Sequence, residues 1–488
     1  MFDIDEIHYK LINGEEFSLE FSFVSDEINQ DIYSLLQKVM SHLDNLYLLE
    51  VVYSIIKEVL TNAGKAIVKR DYFSRNNLNI EDPVQYRNGM HSFFQEVTEK
   101  WSEQEDFLKK SSYRVIFKGK LENQILTLTV QNNSTILPEE MRRIEARMEA
   151  SKRFKDLSEA FLEMSDNQES AGLGLILVHL LLKNTGIGAD KFSITSSSGV
   201  TKVSLSIPKE IVPVEVTNRF KVKIMSEIEE IPPLPESLNR LIRMCNNPDS
   251  NLNIIANEIE KNLSLSAGLL KLSNSSFFSN RNKVSTILAA VKVVGLKNVR
   301  NMLYVSGVMK IMDGRFDKLQ KVWDHSNLCS YIARLLAMDH GKGKYSDLVA
   351  VGGVLHDIGK LVLLTIDKSL FSRMSNYANQ ERSNSTVLEE IAIGISHSTI
   401  GAMLSKKWGF PDDLVAVIEF HHRPFLAPPQ YKDVVEIIYL ANMLSNAIEN
   451  KGNFYSMDRN ILKTFSLDSE EKLNKYLKKI TTLYDGQA

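Results

Sequence analysis

The sequence predicts a multidomain protein in which an N-terminal α+β sandwich is followed by an all-α domain. Strand-like alternation of apolar residues occurs before about residue 207, and helical apolar spacing runs from about residue 236 onward. A chain of 488 residues is also long enough for two or three domains. We therefore expect a first domain over residues 1–207, a linker over 208–223, a helical domain over 224–450 and a helical tail over 451–488.

Composition narrows the classes of protein to which the chain can belong. Hydrophobic residues make up 43% and charged residues 24% of the chain, as in globular proteins, and a net charge of −3 gives no general attraction to nucleic acid. Cys245 and Cys329 are too few for a disulfide scaffold, and the N-terminus lacks the layout of a signal peptide. No apolar run approaches the roughly 20 residues of a membrane span. These observations predict a cytoplasmic protein without a membrane span or a nucleic-acid partner.

Strand-like and helical segments alternate in the first domain. The strand-like segments are residues 17–23, 115–117, 125–130, 193–195 and 200–207. Residues 26–69 show helical spacing, and we place hairpin turns at Gly119–Asn123 and at Ser198-Gly199. Helices beside such strands are typical of an α+β sandwich.

Within the second domain, Ile231-Pro232-Pro233-Leu234-Pro235 opens a segment with almost no strand pattern. Helical spacing continues from Glu236 to about Asn450, with breaks at Pro- or Gly-containing segments. The stretch from Ile461 onward is amphipathic and rich in lysine, which predicts a terminal helix. The linker is assigned to Pro208–Phe220 because that segment contains Pro213 and lacks clear periodicity.

Two polar patterns in the first domain are compatible with a nucleotide. Glu58, Asn62 and Lys65 stand at i, i+4 and i+7 on one helix face, where a carboxylate, an amide and an ammonium could position Mg²⁺ and phosphates. Gly172 and Gly174 precede an apolar helix, and glycines there let backbone N–H groups approach a phosphate. The alternatives are a solvated helix face and a simple loop before a core helix.

Residues 20–207 resemble the histidine-kinase-like (GHKL) ATPase domain, which is shared with gyrase and one class of chaperones. The segment Glu58–Ala66 is similar to the N box of that family, and Gly172-Leu173-Gly174-Leu175 is similar to its second glycine box. The resemblance implies that Glu58 and Asn62 handle the Mg²⁺ of Mg-ATP, that Lys65 meets phosphate and that the glycine loop forms a lid.

The first glycine box of the GHKL family is altered in this chain. Asn132 stands where the family has an adenine-reading Asp, and Ser134 and Ile136 replace glycines. An amide accepts a hydrogen bond from adenine more weakly than a carboxylate does. Nucleotide binding and a degenerate, non-binding sensor domain therefore remain alternatives for the first domain, and autophosphorylation in cis is not expected.

The dipeptide His356-Asp357 is the strongest chemical signal of the second domain. It offers an imidazole and a carboxylate to one metal, or a carboxylate that bridges two, and water on such a metal becomes a nucleophile. Further histidines stand at His325, His397 and His421-His422, and such ligands suit Mn, Fe, Ni or Zn. Core packing is the alternative for any single histidine, and a metal that only holds helices together is the alternative for the set.

This order of residues resembles the HD superfamily of metal phosphohydrolases, including the HD-GYP phosphodiesterases. The resemblance implies that His325, His356 and Asp357 hold one metal, that Asp357 bridges to a second metal held by His397 and one of His421 or His422, and that Lys360 contacts a phosphate. The chain departs from the pattern at Asn442, where the family has an Asp ligand, and the segment after His422 contains no Gly-Tyr-Pro.

Residues 224–450 resemble the HD-related output domain (HDOD) of bacterial signalling proteins more closely. The similar motifs are Ile231–Pro235, Asn262-Leu263, Val291–Arg300 and Trp408-Gly409-Phe410-Pro411, which occur in the family's order. The resemblance implies a regulatory role. We therefore expect a signal-transduction protein whose first domain senses a nucleotide or a partner, and whose partners are unidentified signalling proteins; a homodimer is compatible with the sequence. The alternatives are a metal-dependent phosphohydrolase acting on a nucleotide or cyclic dinucleotide, and an ATP-consuming kinase or ATPase.

Overall fold

The computed structural model describes residues 2–97, 101–154, 173–211, 219–247, 249–274, 283–315, 320–380 and 385–485. The chain divides into two units. The first unit comprises Met1–Asn218 and Asn376–Gly394, and the second comprises Arg219–Ser375 and Ile395–Ala488. Within the predicted linker over residues 208–223, residues 212–218 lie outside the described residues, and residues 219–223 are helical.

A five-stranded sheet forms the centre of the first unit. Its strands are β1 (Phe17–Phe21), β2 (Val115–Glu122), β3 (Ile125–Asn132), β4 (Phe192–Ser197) and β5 (Val200–Pro208). They lie in the order β1-β2-β3-β5-β4, and every neighbouring pair is antiparallel. The predicted strand segments are therefore confirmed, and they share one sheet.

The two hairpin turns differ in how well the sequence predicted them. Ser198 and Gly199 have φ of 51° and 79°, which makes the predicted tight turn between β4 and β5. The predicted turn at Gly119–Asn123 begins too early, because β2 continues through Gly119 to Glu122 and the turn lies at Asn123-Gln124. Gly119 serves packing: a Cβ there would lie 2.3 Å from the ring of Phe17 on β1.

Seven described helices accompany the sheet. They are α1 (Ile4–Ile12), α2 (Asp26–His42), α3 (Leu49–Arg75), α4 (Pro83–Val97), α5 (Gln104–Lys110), α6 (Pro138–Arg153) and α7 (Leu173–Thr185). The helical pattern predicted over residues 26–69 breaks after His42, where Asp44 takes a φ of 57°. The long helix α3 buries Val52, Ile55 and Val59 and packs against β2, β3 and α7.

Helices alone make up the described secondary structure from residue 219 onward. They are α8 (Arg219–Glu230), α9 (Glu236–Asn246), α10 (Leu252–Glu260), α11 (Leu263–Ser273), α12 (Ile287–Val294), α13 (Leu296–Arg315), α14 (Gln320–Asp339), α15 (Ser346–Leu355), α16 (Ile358–Ile366), α17 (Lys368–Gln380), α18 (Ser385–Ile393), α19 (His397–Lys407), α20 (Asp412–Phe420), α21 (Lys432–Ile448), α22 (Arg459–Thr464) and α23 (Glu470–Asp485). Helix α18 belongs to the first unit, where it packs against α7. The predicted all-α character and the terminal helix are confirmed for the described residues.

Helix packing in the second unit sets the positions of the conspicuous histidines. Helix α14 lies against α15 and α21, α16 lies against α19, and α19 lies against α20. A Cβ at Gly359 would lie 1.9 Å from the carbonyl oxygen of His397, so only glycine permits this approach of α16 to α19.

No single helix of the described residues is long and apolar enough to cross a bilayer. The pair α18 and α19 reaches that length and composition only when both are counted together, across a bend of 82°.

Candidate metal centre

The ends of four helices bring the metal-binding residue types of the second unit together. His356 follows α15 directly, Asp357 precedes α16, His397 opens α19, and His421 follows α20. His422 is the next residue, and His325 projects from within α14. Their ligand atoms form two groups that share Asp357, and within each group the atoms lie within 4.8 Å of one another. All six residues are those that the sequence singled out.

One group, which we call the three-imidazole half, consists of His397, His421, His422 and the Oδ1 atom of Asp357. Nε2 of His397 lies 3.3 Å from Nε2 of His421 and 3.1 Å from Nε2 of His422. Oδ1 of Asp357 lies 3.3 Å from Nε2 of His397 and 3.6 Å from Nε2 of His421. Metal–nitrogen bonds of about 2.0–2.1 Å put neighbouring ligands roughly 3.0–3.4 Å apart. The three-imidazole half therefore has nearly the spacing of a metal coordination shell.

The other group, which we call the Asn442 half, consists of His325, His356, Asn442 and the Oδ2 atom of Asp357. Oδ2 lies 3.4 Å from Nε2 of His356 and 3.9 Å from Nε2 of His325. Nε2 of His325 lies 3.0 Å from Oδ1 of Asn442. Lys360 also belongs to this side, because its Nζ lies 2.7 Å from the same Oδ2. The largest measured separation between ligand atoms is thus greater in the Asn442 half than in the three-imidazole half, and the ammonium of Lys360 already lies beside its carboxylate oxygen.

Backbone carbonyls orient two of the rings. Nδ1–H of His356 donates to the carbonyl oxygen of Gly353, and Nδ1–H of His421 donates to that of Ile418, both at 2.8 Å. A ring held in this way presents an unprotonated Nε2 to the cluster, which is the usual arrangement around a bound metal. Nε2 of His356 and Oδ1 of Asp357 are buried and have no hydrogen-bond partner in the described part of the chain. A buried polar atom without a partner is costly, and a metal ion would supply one.

Burial also sets the protonation states that a metal requires. Burial lowers the pKa of His356, His421 and His422 from the ordinary value, which favours neutral imidazoles. Burial opposes ionisation of Asp357, but the neighbouring His356 ring and the ammonium of Lys360 hold the pKa of Asp357 well below its usual range. Neutral imidazole and ionised carboxylate are the metal-binding forms, so the residues present fit a divalent transition metal.

Glu449 is a neighbour of the centre that the sequence analysis missed. Its Oε1 lies 3.0 Å from Nδ1 of His325. The hydrogen bond with His325 and the nearby Lys451 lower the pKa of Glu449 to about 2, against the effect of burial. Glu449 stands seven residues after Asn442, and this spacing on one helix face is the signal that could have revealed it.

The residues predicted to bind nucleotide are only partly assembled in the first unit. Nδ2 of Asn62 donates to Oε1 of Glu58 at 2.9 Å. The Glu58 carboxylate fills the space beside Gly174, where a Cβ would lie 1.8 Å from Oε1. Asn62 and Lys65 are exposed, as a solvated helix face requires. Gly172 lies outside the described residues.

The segment around Asn132 forms hydrogen bonds within the protein. Oδ1 of Asn132 accepts from the backbone N–H of Ser134 at 3.1 Å and from its hydroxyl at 2.7 Å. The carbonyl oxygen of Thr135 accepts from Arg70 at 2.6 Å, and the backbone N–H of Ile136 donates to Ser196 at 2.9 Å. The amide oxygen that adenine recognition would use therefore already accepts two hydrogen bonds.

Comparison with known families identifies the helical part of the chain. Residues 231–424 match the family model of the HDOD domain. The chain contains an HDOD domain. The match includes the five histidines and Asp357, and it ends before Asn442 and Glu449, so the Asn442 half lies partly outside the matched HDOD segment.

The chain is also similar to one further protein sequence and to solved structures. A protein of Treponema pallidum (strain Nichols), named only as uncharacterized, is 29% identical over 438 residues, which are 88% of this chain and 84% of that protein. An HDOD domain protein of unknown function from Geobacter sulfurreducens is 21% identical, with a TM-score of 0.44 over 55% of this chain and 97% of that chain. A presumed phosphohydrolase from Shewanella amazonensis SB2B is 23% identical, with a TM-score of 0.42 over 54% of this chain and 94% of that chain.

Proposed function

We propose that the chain is a signal-transduction protein whose HDOD output domain is built around a divalent transition-metal centre. The convergence of five imidazoles on the buried Asp357 carries this proposal. Neutral histidines together with a carboxylate suit Mn, Fe, Ni or Zn. The metal would stabilise the domain in one conformation, because binding free energy at a buried site adds to the free energy of folding.

Two features favour regulation over hydrolysis. Asn442 brings a neutral amide where a metal phosphohydrolase of the HD type has a carboxylate, and the segment after His422 lacks the Gly-Tyr-Pro of the HD-GYP enzymes. One feature favours the alternative, a metal-dependent phosphohydrolase acting on a nucleotide or cyclic dinucleotide. The side chain of Lys360 is 34% exposed and reaches from solvent to the buried Asp357, so it could bind a phosphate beside the metal. Such a metal, when bound, would polarise the phosphoryl group and activate water.

The substitution Asp357→Ala tests the metal centre and separates these two functions. We expect purified, untagged wild-type protein to contain a transition metal and Asp357→Ala to contain less than about a tenth of an ion per chain, because the carboxylate shared by both halves is removed. Metal content is measured by plasma mass spectrometry, and circular dichroism reports the helix content. Asp347→Ala is the control, since Asp347 lies on α15 and pairs with Arg334, outside the cluster.

Hydrolysis is measured on the same proteins with bis(p-nitrophenyl) phosphate and a cyclic dinucleotide. We expect metal-loaded wild type and Asp357→Ala to share the same background rate. A metal-dependent rate that Asp357→Ala abolishes would establish the phosphohydrolase instead. Trace metal in the wild type would overturn the metal centre.

For the first unit we propose a sensor that engages a partner protein without binding ATP. The supporting observation is that Oδ1 of Asn132 already accepts two hydrogen bonds from Ser134. Titration calorimetry of Mg-ATP into the full chain should give no saturable heat. Saturable binding that Asn62→Ala weakens would restore the nucleotide sensor predicted from the resemblance to GHKL ATPases.

A further inference from the structure

The two halves of the metal centre differ in spacing and in charge. We infer that the centre holds a single metal ion in the three-imidazole half, and that the ammonium of Lys360 takes the place of a second metal on the other side of Asp357. This inference rests on the proposed metal centre and specifies its occupancy. It assigns a metal to one group of histidines and none to the other, whereas the resemblance to HD phosphohydrolases implies a metal for each group.

The three-imidazole half offers a complete ligand set for one ion. Three Nε2 atoms and one carboxylate oxygen face one another, and the measured distances between neighbouring ligand atoms run from 3.1 to 3.6 Å. Four ligands of this kind meet the needs of a four-coordinate transition metal. His397 and His421 are fully inaccessible and His422 is partly exposed, so solvent reaches this half only at the edge formed by His422.

Lys360 opposes a metal in the Asn442 half. Its Nζ lies 2.7 Å from Oδ2 of Asp357, the oxygen that a metal held by His325 and His356 would need. A metal–oxygen bond of about 2.0–2.2 Å would put that metal within roughly 5 Å of the ammonium. Two cations so close repel each other across the buried carboxylate of Asp357.

The Asn442 half also lacks the negative charge that a second divalent ion requires. Asn442 contributes an amide oxygen without charge, 3.0 Å from Nε2 of His325. The carboxylate of Glu449 lies on the far side of the His325 ring, at Nδ1, and is paired with Lys451. The charge of Asp357 is therefore shared between one metal and one ammonium.

Metal stoichiometry of the untagged 488-residue chain tests the inference. The protein is loaded with excess Zn²⁺, and separately with Mn²⁺, then freed of loose ions by gel filtration and measured by plasma mass spectrometry. We expect one ion per chain. His422→Ala should lower this to less than about a tenth of an ion, whereas His325→Ala, the matched substitution in the Asn442 half, should retain one.

A variant that gains a metal ion provides a test in which misfolding cannot explain the result, as it could for a variant that loses its ion. The double variant Lys360→Met, Asn442→Asp removes the ammonium and restores a carboxylate, so it should bind about two ions per chain. Circular dichroism confirms that each variant is folded. Two ions in the wild type would overturn the inference and leave the proposed function standing. An ion that depends on His325 and not on His422, or a double variant that stays at one ion, would also overturn the inference. Less than a tenth of an ion in the wild type would overturn the proposed metal centre itself.

Discussion

Glu140 of the first unit illustrates how one buried carboxylate organises its surroundings. Oε2 accepts from Arg70 at 2.7 Å and from the backbone N–H of Leu137 at 3.0 Å, and Oε1 pairs with Lys69. Burial opposes ionisation, but the charges of Lys69 and Arg70 hold the pKa of Glu140 at about 2. Arg70 also binds the carbonyl oxygen of Thr135, so this cluster fixes the loop that follows Asn132.

Substitution of Glu140 should therefore change the pH dependence of stability. The pKa of Glu140 is about 2 in the folded protein and near 4.5 in the unfolded chain, so its stabilisation is complete above pH 4.5 and is lost as the pH falls toward 2. We expect Glu140→Gln to lower the free energy of unfolding by roughly 2–3 kcal/mol at pH 7 and by about 1 kcal/mol less at pH 4. Urea unfolding of the full chain at both pH values measures the difference.

Glu139 provides the control for this prediction. Its carboxylate is half exposed and pairs with Arg143 on the surface of α6. Glu139→Gln should change the free energy of unfolding by less than about 0.5 kcal/mol at either pH. An effect of Glu140→Gln that is equal at pH 7 and pH 4 would contradict the assignment of a depressed pKa to Glu140.

At the scale of helices, the crossing of α16 and α19 positions the metal centre. Asp357 directly precedes α16 and His397 opens α19, so the separation of these helices sets the distance between their side chains. The backbone approach at Gly359 is what permits a distance of 3.3 Å between Oδ1 of Asp357 and Nε2 of His397. A side chain at this position would enter the neighbouring backbone, which cannot yield as a flexible side chain can.

Gly359→Ala should therefore lower both stability and metal content. We expect the free energy of unfolding to fall by at least about 2 kcal/mol, because the added Cβ forces α16 and α19 apart. Gly268→Ala on α11 is the matched control, since the nearest atom to its new Cβ is Sδ of Met302 at 3.7 Å. That variant should be unchanged or up to about 1 kcal/mol more stable, since alanine is the better helix former. Normal metal content in Gly359→Ala would disprove this role for the crossing.

At the scale of the whole molecule, the two units are not consecutive in sequence. The chain leaves the second unit at Ser375, contributes α18 to the first unit and returns at Ile395. Within α18, Val387, Leu388 and Ile391 are buried, and the carbonyl oxygen of Ile391 lies 3.5 Å from Nδ2 of Asn184 on α7. A cut at the predicted linker therefore removes the packing partner of α18.

A fragment of residues 219–488 should consequently expose apolar surface. We expect it to bind a hydrophobic dye and to self-associate in size-exclusion chromatography, because α18 loses its contact with α7. Ile391→Ser should reduce dye binding by the fragment, yet destabilise the full chain by roughly 2–4 kcal/mol. A fragment that is monomeric and does not bind the dye would show that α18 does not depend on the first unit.

Patterns that are local in sequence were predicted well. The alternation of apolar and polar residues predicted the strand segments, and helical spacing of apolar residues predicted the helical domain. Both patterns depend only on residues that are close together in sequence. The HDOD domain was also identified from the order of its motifs, and the family match over residues 231–424 confirms it. The turn at Asn123-Gln124 was placed too early because the glycine at 119 serves a contact with Phe17, which lies about a hundred residues earlier.

The sequence by itself thus determined the helical HDOD domain, the strand segments and the identity of six candidate metal ligands. Only the tertiary structure decided that the two oxygens of Asp357 face different groups, that Lys360 lies on one of them, that Glu449 orients His325, and that α18 belongs to the first unit. The physical reason is distance along the chain. His325 and Glu449 are 124 residues apart, and their separation in space depends on how whole helices pack, which no local pattern encodes.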